Sequence, residues 1–416
     1  MNIFSLDRTL RLRIAVAFVN RFLDAMITTF MAVYLAQRWG AAGAGMLLFA
    51  VVTLGAGGMF VGGHLSDTRG RRPTLLLAEA VAAASFALMA LGHAGTGGTL
   101  LVYLGYLIGK LASSVGLPAN DAMIVDITTP ENRTDVYTIN YWATNLALAG
   151  GSLLGGFLYN GHFTLLLAVA AAATGAVLLS TALWIPESRP EEAARASGDS
   201  PLRVFVSGYY AVARDGVFLR FVCAATLGLT IEFQLANYIG VRLSADFPSQ
   251  ALLHIGSLSP HVDGVQMLGL LRSENTILVV LLALFSGTLF KRMPDPLRLY
   301  TGIVLFTAGY MVLAVSNRGW VLVIAGAVFT IGELMNVPVK QALLANMIPS
   351  TARPKYMAVY NLSIRVAQML ASLCITLAAW TGPWGMFVLY GAVGLTIVLL
   401  YRSVLSARSS PEALVN

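Results

Sequence analysis

Charged residues are scarce in this chain of 416 residues, because only 11% of them are Asp, Glu, Lys or Arg. An ordinary soluble domain carries about 25% charged residues. Hydrophobic residues make up 57% of the chain and the mean hydropathy is +0.74. This composition excludes a soluble globular fold and indicates an all-α membrane protein with many spans.

Cysteine is also scarce, and Cys223 and Cys374 both lie inside apolar segments. This placement favours buried free thiols over a disulfide or a metal site. The sequence has no Gly-Lys-Ser/Thr phosphate-binding loop, so ATP is not the expected energy source. It also has no His, Cys and acid cluster with metal-ligand spacing. We therefore expect no enzyme activity, no metal and no cofactor.

The net charge of +7 does not indicate a nucleic-acid partner, because the basic residues are scattered between apolar segments rather than gathered on one face. Such scattering is typical of cytoplasmic loops. We expect a multi-pass protein of the bacterial cytoplasmic (inner) membrane, embedded in the lipid bilayer, with both termini cytoplasmic and a retained first helix. This orientation leaves only four arginines in outer segments, namely Arg38, Arg242, Arg272 and Arg318.

Apolar runs of about 20 residues, the length of one membrane span, divide the chain into two sets of six. The first set lies near 12–37, 42–63, 73–93, 98–126, 134–159 and 162–185. The second set lies near 215–243, 270–291, 297–316, 319–345, 354–380 and 382–403. We predict an N-terminal six-helix bundle over 1–185, a cytoplasmic linker over 186–214, and a C-terminal six-helix bundle with a short cytoplasmic tail over 215–416.

A short charged stretch, Gly63 to Arg72, separates the second and third predicted spans. Glycines at 63 and 70 allow the backbone to turn sharply or to approach a neighbour closely. Asp67 is an isolated acid, and Arg71 belongs with Arg72 to a basic cluster. We predict a tight charged turn, whose simplest role is to hold this loop in the cytoplasm.

The ordered set Gly-x-Leu-Ser-Asp-x-x-Gly-Arg-Arg in this stretch resembles the signature loop between helices 2 and 3 of the major facilitator superfamily of secondary transporters. The resemblance implies two pseudo-symmetric bundles of six helices, a substrate site near the midplane between them, and alternating access. It also implies a charge lock on the cytoplasmic face. The residues assigned to this lock are Gly63, Asp67, Gly70, Arg71, Arg72 and Asp126.

Ionisable residues at membrane depth are functional candidates, because an unpaired charge there is costly. Glu333 stands in the middle of a span with no Lys or Arg three or four positions away, so no local ion pair compensates it. Burial of an uncompensated carboxylate favours its protonated form. We predict that Glu333 takes up and releases a proton. The alternative is a protonated structural acid that hydrogen bonds satisfy.

Two more acids are candidates for proton coupling, Glu232 on the seventh span and Asp24 on the first. Arg21 lies three residues before Asp24, so a structural pair along one helix face is an alternative for that acid. Lys110 lies one turn after Tyr106, which occupies the family's arginine position on helix 4. A cation shifted by one turn is therefore our interpretation of Lys110.

Several patches resemble proton-driven multidrug exporters within this superfamily, above all Tyr141 to Asn145 and Gly332 to Pro338. In those exporters one acid precedes the Tyr-Trp pair and another lies on helix 7, where this chain has Asn140 and Ala236. Glu232 lies four residues before Ala236 on the same helical face, and we interpret it as a displaced replacement.

The exporter signature of helix 5 is altered in this chain, since Gly151 to Gly156 carries Ser152 where proline is usual. Close helix packing is the alternative meaning of these small residues.

Polar, aromatic and soft side chains on the predicted inner helices form the expected substrate site. For the aromatic residues, packing against lipid or core is the alternative. The set comprises Asn140, Tyr141, Trp142, Asn145, Gln234, Asn237, Tyr238, Phe329, Met335, Arg21 and Lys110.

These observations predict a monomeric, proton-coupled exporter of amphiphilic or weakly cationic drug-like compounds, driven by the proton gradient. Within transport, the alternative is a narrower carrier of a metabolite, peptide or lipid. Outside transport, the alternative is a sensor or scaffold with the same fold.

Overall fold

The structure is a computed structural model that describes residues 8–95, 98–129, 133–188, 212, 214–252, 261–349 and 352–409. Nine helical stretches among these residues are long and apolar enough to cross a membrane. Three of them have 62, 52 and 57 residues, and each contains a non-helical interruption. A helix of 62 residues is about 93 Å long, whereas a bilayer core is about 30 Å thick. Counting each interrupted helix as two segments gives twelve segments.

Four helices form the first part of the chain. They are α1 (Arg8–Arg69), α2 (Arg71–Ala94), α3 (Thr99–Asp126) and α4 (Arg133–Trp184). Helix α1 is interrupted at Gly40, and α4 is interrupted at Asn160–His162. Both interruptions fall where the sequence predicted a boundary between spans.

The second part contains six helices and one small hairpin. They are α5 (Gly216–Glu232), α6 (Tyr238–Asp246), β1 (Gln250–Ala251), β2 (His261–Val262), α7 (Gly264–Leu289), α8 (Asp295–Val315), α9 (Gly319–Met347) and α10 (Arg353–Ser409). The two strands pair antiparallel. Helix α10 is interrupted at Gly382, where the sequence also predicted a boundary.

The chain divides into two compact units, each with its own core. The first unit contains residues 1–38 and 50–198, and the second contains 39–49 and 199–416. Most of the predicted linker, 186–214, lies outside the described residues.

Small residues let two helices of the first unit pack with their backbones in contact. A Cβ atom at Gly151 would lie 2.4 Å from the carbonyl oxygen of Phe22, and one at Gly155 would lie 2.3 Å from that of Met26. The altered helix-5 signature therefore packs α4 directly against α1, which supports the packing alternative for these glycines.

The charged stretch from Gly63 to Arg72 is not the loop that the sequence predicted. Helix α1 continues through Arg69, and the only interruption is Gly70, whose φ is 108°. Gly63 is helical, and a Cβ atom there would meet nothing within 4 Å. The prediction was wrong because glycine is common inside membrane helices and does not have to end them.

Two other expectations need correction. The predicted seventh span is interrupted after Glu232 by a 3-10 turn over Phe233–Leu235. Cys223 and Cys374 are both free, as expected, but Cys223 is exposed rather than buried.

Candidate functional site

Close packing of α8 against α9 fixes the position of Glu333. A Cβ atom at Gly332 would lie 2.4 Å from the backbone nitrogen of Phe306, and one at Gly302 would lie 2.8 Å from the carbonyl oxygen of Gly332. The two backbones therefore touch one residue before Glu333. Only glycine fits such a contact without moving a helix, so the acid is held on a rigid support.

A small cavity in the second unit brings two carboxylates and an amine together. Glu232 of α5, Glu333 of α9 and Lys340 of α9 all line it. Its volume is about 20 Å³, measured as the space open to the centre of a water molecule. This is room for about one water molecule. The remaining lining is mostly apolar.

Glu333 also has a direct hydrogen-bond partner. The Nδ2 atom of Asn275 donates to its Oε2 at 3.0 Å and to Thr330 Oγ1 at 3.1 Å. Within the described residues, neither Glu232 nor Glu333 makes a direct ion pair with Lys340. The carboxylate is therefore held by an amide and faces a cation across the cavity.

Two cations interact with the acids, although no local spacing in the sequence had indicated either of them as a partner. Lys340 interacts electrostatically with both carboxylates, and Arg272 interacts with Glu232. Lys340 lies seven residues after Glu333, which is two helical turns along the same face. The expectation of an uncompensated acid considered only partners three or four positions away and therefore missed Lys340. Asn275 and Arg272 come from α7, a contact that no local spacing indicates.

The interruption of the seventh span after Glu232 also shapes this site. Helix α5 ends at Glu232, and Asn237 has non-helical backbone angles of −103° and −104°. The hydroxyl of Tyr310 donates to the carbonyl oxygen of Glu232 at 2.9 Å. A break in a helix frees backbone groups, and here a tyrosine satisfies one of them.

The first unit contains a direct ion pair between two candidate residues. Lys110 Nζ lies 2.5 Å from Asp24 Oδ1, and Thr28 donates to the same oxygen at 2.9 Å. Arg21 is exposed and adds only a longer electrostatic interaction. The close partner of Asp24 is therefore Lys110 on α3, rather than its neighbour on α1.

Residues assigned to the charge lock meet at the start of α2. Arg71 lies 2.6 Å from Asp67 and 3.4 Å from Asp126. The sequence overlooked Glu187, whose carboxylate accepts from the backbone nitrogens of Arg71 at 3.0 Å and Arg72 at 3.1 Å. An acid at a helix N-terminus satisfies unpaired N–H groups and suits the helix dipole.

A second buried pair in the first unit was not anticipated from the sequence. Arg13 and Glu79 are only 1% and 6% exposed, and they interact electrostatically. Arg13 donates to Asn120 Oδ1 at 2.5 Å, and Thr181 donates to Glu79 Oε1 at 3.1 Å. Arg13 Nε and Nη1 and Glu79 Oε2 have no hydrogen-bond partner among the described residues.

Four of the five predicted substrate residues in the second unit are buried in its core. Phe329 and Tyr238 lie in a buried cluster of aromatic rings, with Phe329 4.8 Å from Tyr310 between centroids. Met335 is buried against Gly302. These contacts support the packing alternative for the three residues. Gln234 is buried and donates to the carbonyl oxygen of Thr230 at 3.1 Å.

The remaining predicted substrate residues are more accessible. Asn140, Trp142 and Asn237 are partly buried, and Asn145 donates to the carbonyl oxygen of Tyr141 at 2.8 Å. Tyr141 is 47% exposed. It lines an open groove on α4 of about 460 Å³ together with Arg133, Tyr137 and Thr138.

Comparison with known proteins shows relatives along the whole chain. The Major Facilitator Superfamily profile matches residues 14–301 and 258–414. The chain is 28% identical over 412 residues to a Na(+), Li(+), K(+)/H(+) antiporter of Planococcus maritimus, covering 96% of both chains. It is 24% identical over 369 residues to the multidrug resistance protein MdtH of Aeromonas salmonicida, covering 88% of this chain and 86% of the relative.

Solved structures agree with this fold. A peptide transporter POT in complex with sulfate matches with a TM-score of 0.72 and 16% identity, covering 98% of this chain and 95% of the other. A POT family transporter in complex with 5-aminolevulinic acid matches with a TM-score of 0.72 and 15% identity, covering 99% and 100%. The chain is therefore a multi-pass membrane transporter rather than an enzyme, and it belongs to the Major Facilitator Superfamily.

Proposed function

We propose that this transporter is a proton-coupled antiporter that exports a cationic or amphiphilic small molecule by alternating access. One observation carries the proposal, namely that Glu232, Glu333 and Lys340 line a single small cavity inside the second unit. Titratable groups in so apolar a setting are costly, which makes each of them a candidate for proton or charge exchange in the transport cycle.

The two acids have different neighbours, which gives them different roles in this proposal. Lys340 and Arg272 both interact with Glu232, so Glu232 has two cationic neighbours. Glu333 faces a second carboxylate and accepts from the amide of Asn275. Two carboxylates that share one small cavity do not ionise independently. Glu333 is therefore assigned as the acid that carries the exchanged proton.

The charges of this cavity favour a cationic cargo. A cation that reaches Glu333 replaces its proton and leaves the charge of the cavity unchanged, which is the requirement for exchange. In the first unit, the ion pair between Asp24 and Lys110 supplies a second acid whose partner a cationic cargo would have to displace. This arrangement supports Asp24 as a contact for cargo more than as a site for protons.

One relative favours a second candidate, a proton antiporter for monovalent metal cations. The antiporter of Planococcus maritimus matches this chain over 96% of both lengths, a wider match than that of the multidrug relative. A cavity of about 20 Å³ has the size for a small ion rather than for a drug-like molecule.

Purified protein in liposomes containing a pH-sensitive dye tests both candidates. Ethidium and tetraphenylphosphonium serve as amphiphilic cargo, and Na+, Li+ and K+ serve as metal cargo, each added against an imposed pH gradient. We expect proton movement with at least one class, its loss in Glu333→Gln, and its retention in Asp135→Asn, which removes an exposed acid on α4. Unchanged exchange in Glu333→Gln would refute the assignment of the proton carrier.

A further inference from the structure

A proline removes one backbone hydrogen bond from α9 between two residues of the charged site. Pro338 lies inside α9, five residues after Glu333 and two residues before Lys340. Proline has no backbone N–H, so the carbonyl group four residues earlier loses its usual partner, and the proline ring crowds that carbonyl. In α9 this carbonyl belongs to Leu334. A proline inside a helix also bends it, so this turn decides how Glu333 and Lys340 face each other.

Arg298 of α8 supplies a donor for the carbonyl that the proline leaves without one. Its Nη2 atom donates to the carbonyl oxygen of Leu334 at 3.3 Å. Membrane helices tolerate an internal proline where a neighbouring helix satisfies the freed backbone group. Here the neighbouring helix does so with a guanidinium, which is a charged and therefore strong donor.

Packing of α8 against α9 brings Arg298 to this carbonyl. Gly302 lies one turn after Arg298 on the same face of α8. A Cβ atom at Gly302 would lie 2.8 Å from the carbonyl oxygen of Gly332 and 2.9 Å from the backbone nitrogen of Asn336. This face of α8 is therefore held against the turn of α9 that precedes Pro338.

The guanidinium of Arg298 is not used in an ion pair. Among the described residues it has no carboxylate partner, and the carbonyl oxygen of Leu334 is the only hydrogen-bond acceptor of its side chain. Its Cζ atom lies 5.3 Å from the ring centre of Phe290, and its Nε atom is buried. A guanidinium is weakly hydrated and stacks well on a ring, so this setting orients it toward the helix backbone.

We propose that Arg298 is a positioning residue for the cavity that Glu333 and Lys340 line. It holds the carbonyl of Leu334 and thereby fixes the shape of α9 between the acid and the amine. Loss of this donor leaves a buried carbonyl without a partner, so the turn before Pro338 rearranges and the distance between Glu333 and Lys340 changes. The value of that distance for exchange rests on the proposed function, whereas the bond between α8 and α9 does not.

Thermal unfolding of the purified full-length protein in detergent tests the bond through a double-mutant cycle. Pro338→Ala restores a backbone N–H, so the carbonyl of Leu334 regains a partner within α9. We expect Arg298→Met to lower the unfolding temperature when Pro338 is present and to lose most of that effect in the Pro338→Ala background. Arg292→Met, which removes an exposed basic residue shortly before α8, is the matched control and is expected to have no effect. An equal lowering in both backgrounds would overturn the proposal.

The same cycle covers a variant that does not fold. If Arg298→Met is unfolded on its own, its folding in the Pro338→Ala background supports the proposal. Failure to fold in that background as well refutes it.

Infrared difference spectroscopy without any cargo then separates positioning from stability alone. A pH titration follows the C=O stretch of the Glu333 carboxyl group, which is identified by its loss in Glu333→Gln. We expect its midpoint to shift in Arg298→Met, to stay in place in Arg292→Met, and to return toward the wild-type value in Arg298→Lys, which keeps a charged donor. Identical midpoints in wild type and Arg298→Met would refute the positioning role. If wild type shows no such component, the proposed proton carrier fails, and the unfolding cycle alone decides the role of Arg298.

Discussion

Lys340 is the residue that most changes the chemistry of the membrane interior. It places a cation in the same cavity as Glu232 and Glu333, so the acids are neither isolated nor directly paired. A charge at this depth is stable only with such compensation. The cavity is thus a balanced set of charges rather than a single unpaired acid.

Replacement of Lys340 by Gln is expected to reduce exchange strongly, because it leaves Glu232 with Arg272 as its sole cationic neighbour among the described residues. Lys340→Arg keeps the charge and is expected to retain part of the activity. Proton movement in liposomes measures both variants. Equal activity of Lys340→Gln and wild type would show that the lysine has no part in exchange.

The buried pair in the first unit leads to a second prediction at this scale. Arg13→Met leaves Glu79 buried without its cation, and we expect a loss of stability of about 2 kcal/mol, the cost of an uncompensated buried polar group. The double variant Arg13→Met with Glu79→Gln is expected to recover most of that loss. Thermal unfolding of wild type and the variants in detergent measures this double-mutant cycle. Additive losses would contradict an interaction between the two side chains.

Sequence reasoning at the residue scale found the acids but not their partners. Glu333 and Glu232 stood out because an acid within an apolar run is conspicuous. Lys340 was not connected with these acids, because partners were sought within one helical turn. Asn275 and Arg272 reach the site only through the packing of α7, and such contacts depend on tertiary structure that no local pattern encodes.

Glycine governs the elements of this fold in two different ways. At Gly70 it supplies a positive φ between α1 and α2, and at Gly332 it supplies space between α8 and α9. The interruptions at Gly40 and Gly382 were predictable because glycine there coincides with a gap between apolar runs. The continuity of α1 through Gly63 was not predictable, because the local sequence does not distinguish a helical glycine from a glycine in a turn.

Gly70→Ala is expected to disrupt the charge lock, because φ is 108° there and the added Cβ atom would lie 2.5 Å from Glu187 Oε2. Gly63→Ala is the matched control, since nothing lies within 4 Å and alanine favours a helix interior. Transport rate and thermal stability measure both. If Gly63→Ala impaired the protein as much as Gly70→Ala, Gly63 would have a role in the charge lock that its open surroundings do not indicate.

Gly332→Ala tests the backbone contact between α8 and α9 that positions Glu333. The new methyl group would meet the backbone of Phe306 at 2.4 Å, so α8 and α9 must separate, at a cost of about 1–3 kcal/mol. Gly228→Ala, beside the same cavity but with nothing within 4 Å, is expected to be tolerated. Unfolding temperature and proton exchange report on each variant. Equal tolerance of both substitutions would contradict a rigid backbone contact.

On the scale of the whole molecule, composition and apolar run length were sufficient to predict a helical membrane protein with two sets of six spans, whereas the expectation of a transporter came from the family resemblance of the stretch from Gly63 to Arg72. Cargo was not predictable to the same degree. It depends on a few side chains whose neighbours come from several helices, and the relatives include both a metal cation antiporter and a multidrug resistance protein.

The orientation of the chain remains a prediction with a direct test. In a variant without its two cysteines, Ser249→Cys beside the hairpin is expected to react with a membrane-impermeant maleimide in intact cells. Thr68→Cys, at the junction of α1 and α2, is expected to react only after the cells are opened. The reverse pattern of labelling would place both termini outside.

The 3-10 turn between α5 and α6 divides the seventh span into two helical segments. The segment α6 is held because Arg242 donates to Asn317 and Ser316. The segment α5 ends at Glu232, which lines the same cavity as Lys340. If the span bends at this turn during transport, we expect the distance between Glu232 and Lys340 to change, so that a probe of helix tilt follows the same cycle as a probe of protons.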